Sequence, residues 1–306
     1  MFTGICRLCL QKGPLCASHI ISRFIFGSLT DNALTGRIRD TANPNLSLQD
    51  GPKKPLLCRT CDNKLVSSYE TDFAKEVFYP LNQKAESVFR YGPWMAKFAA
   101  SVTWRVLVTC VAVDEKVPAN IQRAENAWRD FLLDRKPNPG AFSLHMFLVP
   151  PNEPVVPLPL QGIETPANLN RYLMTCINFG LWGDNEAFLV YASLGGVLLV
   201  GKIAVPDTKQ VWRPSRLSVK HGVIRASALE LLDKLPPVLW AIIYTSAEEV
   251  GNVRLSDTQQ QKFLSRLEHR NSLTRLSDSS YGRASLYDRL TFGSRAIGGR
   301  SRSSLS

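Results

Sequence analysis

The sequence predicts an α+β fold in which an N-terminal module with little core of its own precedes a mixed helical and antiparallel-sheet domain. Two Cys-x2-Cys pairs fall within the first 61 residues, apolar residues then recur at helical spacing, and two apolar runs further on flank a Gly-Gly dipeptide. With 306 residues, 44% of them apolar, the chain is long enough for about two globular units. Wholesale disorder is therefore excluded.

The first unit, residues 1–75, is polar and irregular, and cysteines are its most informative feature. They pair as Cys6 with Cys9 and Cys58 with Cys61. Because two intervening residues close a tight loop, each pair can turn its two thiolates toward one point, and four thiolates form the closed tetrahedral site typical of structural Zn²⁺. Four free core cysteines are the alternative. A small unit with little core gains folding free energy directly from a metal, so we predict a zinc site at these four residues.

Apolar residues at helical spacing predict helices from the second cysteine pair through the region 76–135. A short helix is predicted to begin at Asp62, and two longer ones cover 94–111 and 119–135. Arg105 lies on the apolar face of the first long helix. A buried guanidinium is costly without a partner, so we expect Arg105 to have one.

The domain 136–270 is predicted to combine helices with antiparallel strands. The runs Ala187–Leu194 and Val197–Val205 flank Gly195-Gly196, which is the strongest hairpin signal in the sequence. A further strand is predicted at 143–149, before a proline-rich loop. The remaining helices are predicted at 226–234, 236–250 and 257–270.

The formal net charge of +11 is concentrated at the two ends of the chain, with +4 in residues 1–62 and +5 in residues 266–306. This excess of Lys and Arg favours a polyanionic partner, and nucleic acid is the first expectation, bound by the ends rather than the middle. The Ser- and Arg-rich tail 271–306 has too little contiguous apolar surface to offset its ordering entropy. We therefore predict a flexible basic arm there.

Several classes of protein are disfavoured by what the sequence lacks. No secretory signal pattern opens it, and its longest apolar-looking stretch, 187–200, has 14 residues, short of the ~18–20 that span a bilayer. We expect a soluble, cytoplasmic protein with no membrane partner, in which paired cysteines bind metal rather than form disulfides. The sequence contains no phosphate-binding glycine motif, which argues against nucleotide-dependent chemistry. Association with a protein partner or a second copy stays open.

The order of the motifs resembles that of the zinc-containing HNH nucleases, which have a treble-clef or ββα-metal arrangement. Cys6-x2-Cys9 precedes a predicted strand with Ser18-His19, and Cys58-x2-Cys61 then opens a helix. The resemblance implies that His19 is the general base that activates water for attack on a scissile phosphate, that Mg²⁺ or another divalent ion stabilises the developing charge, and that the zinc is structural. Basic side chains expected to hold nucleic acid are Arg7, Arg23, Lys53, Lys54 and Arg59.

The same pattern is also similar to that of bacterial proteins that pair an HNH-like zinc module with a helical region, which implies a role in phage defence or in a mobile element. The chain departs from the family at the residue before the histidine, where Ser18 replaces a carboxylate or imidazole ligand. The family's asparagine has no match in 51–55, and only Asp62, Asn63 and Glu70 can replace its helical ligand. Two functions therefore stay open: a metal-dependent endonuclease, and a catalytically inactive zinc-finger-type module that binds nucleic acid or protein.

Overall fold

Helices and antiparallel strands share the chain, so the α+β class is confirmed. The structure is a computed structural model that describes residues 2–33, 37–111, 117–183, 187–205, 212–269 and 279–297. Its strands are β1 (Phe2–Ile5), β2 (Lys12–His19), β3 (Ile38–Arg39), β4 (Ser47–Leu48), β5 (Lys53–Leu57), β6 (Val88–Tyr91), β7 (Leu144–Leu148), β8 (Ile177–Gly183), β9 (Phe188–Leu194), β10 (Val197–Ala204) and β11 (Gly222–Arg225).

Helices cover most of the remaining described chain. They are α1 (Arg23–Asn32), α2 (Arg59–Lys64), α3 (Thr71–Phe73), α4 (Tyr79–Gln83), α5 (Trp94–Cys110), α6 (Ala119–Leu132), α7 (Leu169–Thr175), α8 (Ala228–Lys234), α9 (Pro237–Asn252), α10 (Asp257–His269) and α11 (Ser280–Phe292), with π-helical segments at Leu65–Glu70 and Ala74–Phe78 and 3₁₀ turns at Arg213–Ser215 and Gly293–Ile297. The helix predicted from Asp62 therefore begins at Arg59 and continues in helical turns to Gln83. None of the described helices combines the length with the apolar composition that a bilayer crossing requires.

A four-stranded antiparallel sheet with strand order β7-β10-β9-β8 forms the centre of the molecule. The predicted hairpin is confirmed: β9 and β10 are joined at Gly195 and Gly196, whose φ angles are 63° and 98°. Glycine adopts these angles without a steric cost, which explains why the dipeptide lies at this turn.

Both faces of this sheet are buried, which gives the molecule three layers. On β10, Leu199 packs into the core shared with α5 and α6, whereas its neighbour Leu198 packs into the core shared with α7 and α9. Val190 and Tyr191 on β9 alternate in the same way. The first core also continues into the N-terminal unit, residues 1–75 (the cysteine module), where it includes Cys6. The module therefore shares its apolar core with the rest of the chain.

The buried His145 on β7 has a structural environment. Its Nε2 lies 2.8 Å from Ser143 Oγ and its Nδ1 lies 3.0 Å from Ser215 Oγ. Burial, together with the positive charges of Lys202 and Arg216, lowers the pKa of His145 to about 3. The imidazole is therefore neutral near neutral pH, and both of its nitrogens are satisfied inside the protein.

The flexible arm predicted over 271–306 requires correction in its middle, because Ser280–Phe292 forms α11 and packs beside α7. The carboxylate of Asp288 is fully buried. It accepts hydrogen bonds from the backbone N–H groups of Asn170 (2.7 Å) and Arg171 (3.2 Å) and from Arg171 Nε (2.9 Å). One buried carboxylate thus anchors a segment whose apolar content alone predicts disorder. Residues 271–278 and 298–306 of the expected arm lie outside the described residues.

We expect Asp288→Ala to lower the free energy of unfolding by about 3–5 kcal/mol, because it leaves Arg171 Nε and the backbone N–H groups of Asn170 and Arg171 without their acceptor. Urea denaturation followed by circular dichroism measures the loss. Asp233→Ala, which removes an exposed carboxylate from α8, is the matched control and should change stability by less than about 0.5 kcal/mol. Equal effects of the two substitutions would contradict the anchoring role.

Candidate functional site

The first two strands and the start of α2 bring the two cysteine pairs together. Strands β1 and β2 form an antiparallel hairpin, and β5 pairs with β2 to complete a sheet of order β1-β2-β5. Cys6 and Cys9 lie in the turn between β1 and β2, Cys58 directly follows β5, and Cys61 lies in the first turn of α2. Because β5 ends beside the hairpin turn, pairs that are about 50 residues apart in sequence face each other.

Backbone hydrogen bonds fix the turn that carries the first pair. The carbonyl of Cys6 accepts from Leu10 N at 2.8 Å, and Cys6 N donates to Gln11 O at 2.9 Å. Leu10 has a φ of 64°, a left-handed conformation that L-residues other than Asn, Asp and Gly rarely adopt. Arg7 N donates to Leu56 O across the turn at 3.1 Å. The turn is therefore attached to β5, the strand that leads to the second pair.

The four sulfur atoms form one cluster, in which every pair lies within 4.8 Å. The Sγ atoms of Cys9 and Cys58 are 3.9 Å apart, whereas a tetrahedron with Zn–S bonds of about 2.3 Å has edges of about 3.8 Å. All seven cysteines are free thiols. The cluster therefore has the donor set and nearly the spacing that a tetrahedral metal ion such as zinc requires.

The electrostatics of the cluster favour a bound cation. Burial and the neighbouring thiols of Cys58, Cys6 and Cys9 raise the pKa of Cys61 well above its ordinary value. Burial also opposes ionisation of Cys6, but hydrogen bonds from the backbone N–H groups of Cys58, Cys9 and Leu8 lower its pKa overall. Thiols this close cannot all ionise without a compensating positive charge, and a divalent ion supplies that charge.

His19 ends β2 and pairs with an acidic side chain on the loop before β5. Its Nε2 lies 2.8 Å from Asp50 Oδ1. Asp50 also accepts from Gly51 N at 2.8 Å, and its Oδ2 lies 2.6 Å from Lys53 Nζ. Burial raises the pKa of Asp50, but the hydrogen bonds from Lys53, His19 and Gly51 outweigh it and hold the pKa well below its ordinary value. The carboxylate is therefore ionised and orients the imidazole.

The main chain at His19 is held by Arg105, whose expected buried partner is now identified. Arg105 Nη1 donates to the carbonyl of His19 at 2.9 Å, and Arg105 Nη2 pairs with the Glu70 carboxylate. Arg105 and Glu70 are only 1% and 4% exposed. Glu70, one of the three residues considered as a substitute metal ligand, is therefore engaged in an ion pair that joins the module to α5.

The predicted phosphate-binding residues are distributed over the module surface. The sheet register places Lys53 opposite His19 and Lys54 opposite Ser18. Lys53 therefore lies beside the histidine, whereas Lys54 Nζ donates to Thr109 O at 3.4 Å. The other three lie on separate elements: Arg7 and Arg59 each follow a candidate metal ligand directly, and Arg23 begins α1. Arg7 is half-buried, and the other four are exposed.

Asp50 is a site residue that was not predicted from the sequence. The segment 51–55 offers no match for the family's asparagine, but an acidic residue stands immediately before Gly51. The pairing of β5 with β2 and the Lys53–Asp50 ion pair bring this carboxylate to His19, and no local sequence pattern predicts that contact. Asp50 also lines a cavity of about 680 Å³. The His19–Asp50 pair therefore adjoins a space large enough for a ligand.

No match to this chain emerges from comparisons with protein-family models, curated proteins and solved structures. The resemblance to HNH nucleases accordingly depends on the order of the cysteine pairs and His19.

Proposed function

We propose that this protein hydrolyses phosphodiester bonds of nucleic acid at His19, within an HNH-like, treble-clef module stabilised by structural Zn²⁺ at Cys6, Cys9, Cys58 and Cys61. The observation that carries the proposal is the 2.8 Å contact between His19 Nε2 and Asp50 Oδ1. An imidazole oriented by a carboxylate is the usual arrangement of a general base. The net charge of +11 favours a polyanionic substrate.

The contact assigns different roles to the two imidazole nitrogens. Because Asp50 is ionised and only accepts, a neutral His19 donates its Nε2 proton to Asp50, and Nδ1 keeps a lone pair. Nδ1 then takes a proton from water as the water oxygen attacks phosphorus. The bond from phosphorus to the leaving oxygen breaks, and that oxygen takes a proton from solvent. The Lys53 ammonium lies beside the pair and lends positive charge where the phosphate becomes more negative.

The divalent ion that the resemblance implies does not fit the side chains around His19. Within the described ranges, the four cysteines are the only group of three or more ligand side chains. Both oxygens of Asp50 already accept hydrogen bonds, and Ser18 is buried. Mg²⁺ prefers free carboxylate oxygens with an open octahedral shell. We therefore assign no step of the reaction to it.

These observations favour a second candidate function, a zinc-stabilised module that binds nucleic acid without cutting it. In that case the His19–Asp50–Lys53 group is a structural hydrogen-bond network at the end of β2. The involvement in phage defence or a mobile element remains a prediction from the resemblance under either function.

The assay that tests the proposal incubates end-labelled single-stranded and duplex DNA and RNA with the purified protein, with and without added Mg²⁺ or Mn²⁺. We expect cleavage by the wild type and a loss of at least about 100-fold in His19→Ala, since general base catalysis contributes about 10²–10⁴. His221→Ala removes an exposed histidine and should leave the rate unchanged. Equal rates in wild type and His19→Ala would contradict hydrolysis at His19. Salt-dependent binding without cleavage would establish the second candidate.

A further inference from the structure

Two adjoining cavities form a groove between the cysteine module and the sheet domain. The first has a volume of about 680 Å³ and the second about 990 Å³. They share four lining residues, namely Thr175, Cys176, Val250 and Tyr281. Asp50 lines the first cavity, so the groove begins at the carboxylate that orients His19 and extends from there to α11.

The first cavity is mainly apolar and contains three aromatic side chains, Phe26, Phe179 and Tyr281. Its volume lies within the range of pockets that enclose small organic ligands. Arg37 and Arg39, from the segment around β3, also line it, together with Asp40 and Asp50. An apolar space with aromatic walls fits a flat ring, and a nucleotide base is such a ring.

The second cavity is lined by four arginines from four different segments of the chain and by two glutamates. Arg171 is turned toward Asp288 and Arg295 pairs with Glu164. Arg254 bonds only to the carbonyls of Gly251 and Val253, and neither it nor Arg289 has a carboxylate partner among the described residues. Two guanidinium groups are therefore available to an anion. Arg289 and Arg295 belong to the segment expected to be a free arm.

Contacts between distant parts of the chain fix the walls of the groove. On the module side, Arg39 Nη2 lies 3.4 Å from Gln259 Oε1 of α10, and Ser256 N donates to Asn45 Oδ1 at 2.9 Å. On the other side, Asp288 anchors α11 to the start of α7. The groove is therefore built into the fold, as a site that recognises one ligand requires.

We propose that this groove binds single-stranded nucleic acid, with one base in the apolar cavity and the backbone phosphates on Arg254 and Arg289. The proposal rests on the proposed function, because it identifies the form of the substrate that the His19–Asp50 pair meets. In a duplex, each base is hydrogen-bonded to its partner and stacked between its neighbours. A base can therefore enter the cavity only if the duplex opens. A single strand offers each base freely, and stacking on aromatic side chains stabilises it.

Binding is tested separately from cleavage, on protein that carries His19→Ala so that the labelled strand stays intact. Fluorescence anisotropy gives the affinity for a single-stranded 12-nucleotide DNA, for its duplex and for the same strand with abasic sugars. We expect the single strand to bind more tightly than the duplex. We expect the abasic strand to bind about tenfold more weakly, because stacking contributes about 1–3 kcal/mol per base. Equal affinity for normal and abasic strands would overturn the placement of a base in the cavity.

The phosphate contacts are tested with the double variant Arg254→Ala/Arg289→Ala. It should weaken single-strand binding and reduce the slope of log affinity against log salt by about 1.4, since each phosphate contact contributes about 0.7 for single strands. Arg90→Ala/Arg225→Ala removes the same charge from the exposed face of the β6–β11 pair and should leave the slope unchanged. If both double variants change binding equally, the groove is not the binding site.

The two proposals fail in distinguishable ways. If the protein binds single strands in a base-dependent way but does not cleave them, the groove is supported and hydrolysis is contradicted. The opposite result is cleavage by the wild type with equal affinity for normal and abasic strands and equal effects of the two double variants. It would support hydrolysis and contradict binding in the groove. Thermal melting followed by circular dichroism verifies that each variant is folded, so a loss of binding is attributed to the substituted side chains.

Discussion

Cys61→Ser is expected to abolish metal binding and to unfold the N-terminal module. The four sulfur atoms lie within 4.8 Å of one another, and Cys61 is buried among them. Removing one thiolate opens the tetrahedral site, and structural zinc sites of this kind provide about 10–16 kcal/mol of apparent binding free energy at neutral pH. Because the apolar core of the module continues into α5, the loss should spread beyond residues 1–75.

Metal content by mass spectrometry and the midpoint of urea denaturation measure the effect. The wild type should contain about one zinc ion per chain, and Cys61→Ser should contain almost none and unfold at a lower urea concentration. Cys110→Ser replaces an exposed cysteine on α5 outside the cluster and should keep both the metal and the midpoint. A metal-free wild type as stable as the metal-loaded protein would contradict a structural role for the ion.

The cysteine cluster and the central hairpin could be predicted from sequence because each depends on a local rule. Two Cys-x2-Cys pairs have the spacing of metal ligands, and a Gly-Gly dipeptide between apolar runs has the backbone freedom that a tight turn requires. Long amphipathic segments such as Trp94–Cys110 also follow a local periodicity. These features need no knowledge of which distant residues meet.

The features that were missed depend on distant contacts. Asp50 matters because the pairing of β2 with β5 brings it to His19, and an acidic residue before Gly51 has no local signature of that role. The helix α11 is ordered because Asp288 meets the start of α7, more than 100 residues earlier in the chain. Composition alone shows a polar, basic segment, whereas its folding depends on tertiary contacts: those of Asp288 with the start of α7, and those of Ala284 in the core shared with α7 and α9.

The Arg105–Glu70 pair provides the second large expected effect. Glu70→Leu should lower the free energy of unfolding by about 3–5 kcal/mol, because it leaves a buried guanidinium without its carboxylate. Glu230→Leu breaks the more exposed Lys234–Glu230 pair on α8 and should cost less than about 1 kcal/mol. Urea denaturation of the two variants, with zinc content verified in both, measures the difference. Similar losses would contradict the assignment of a strong structural role to the buried pair.

The double variant Glu70→Leu/Arg105→Met separates the stability of this pair from its effect on His19. Replacing both charges with apolar side chains of similar size removes the unpaired charge, so most of the stability lost in Glu70→Leu should return. The carbonyl of His19, however, loses the donor that Arg105 Nη1 provides at 2.9 Å. We therefore expect a stable protein whose cleavage activity stays reduced. Recovery of stability together with full activity would show that Arg105 contributes to the fold and not to the position of His19.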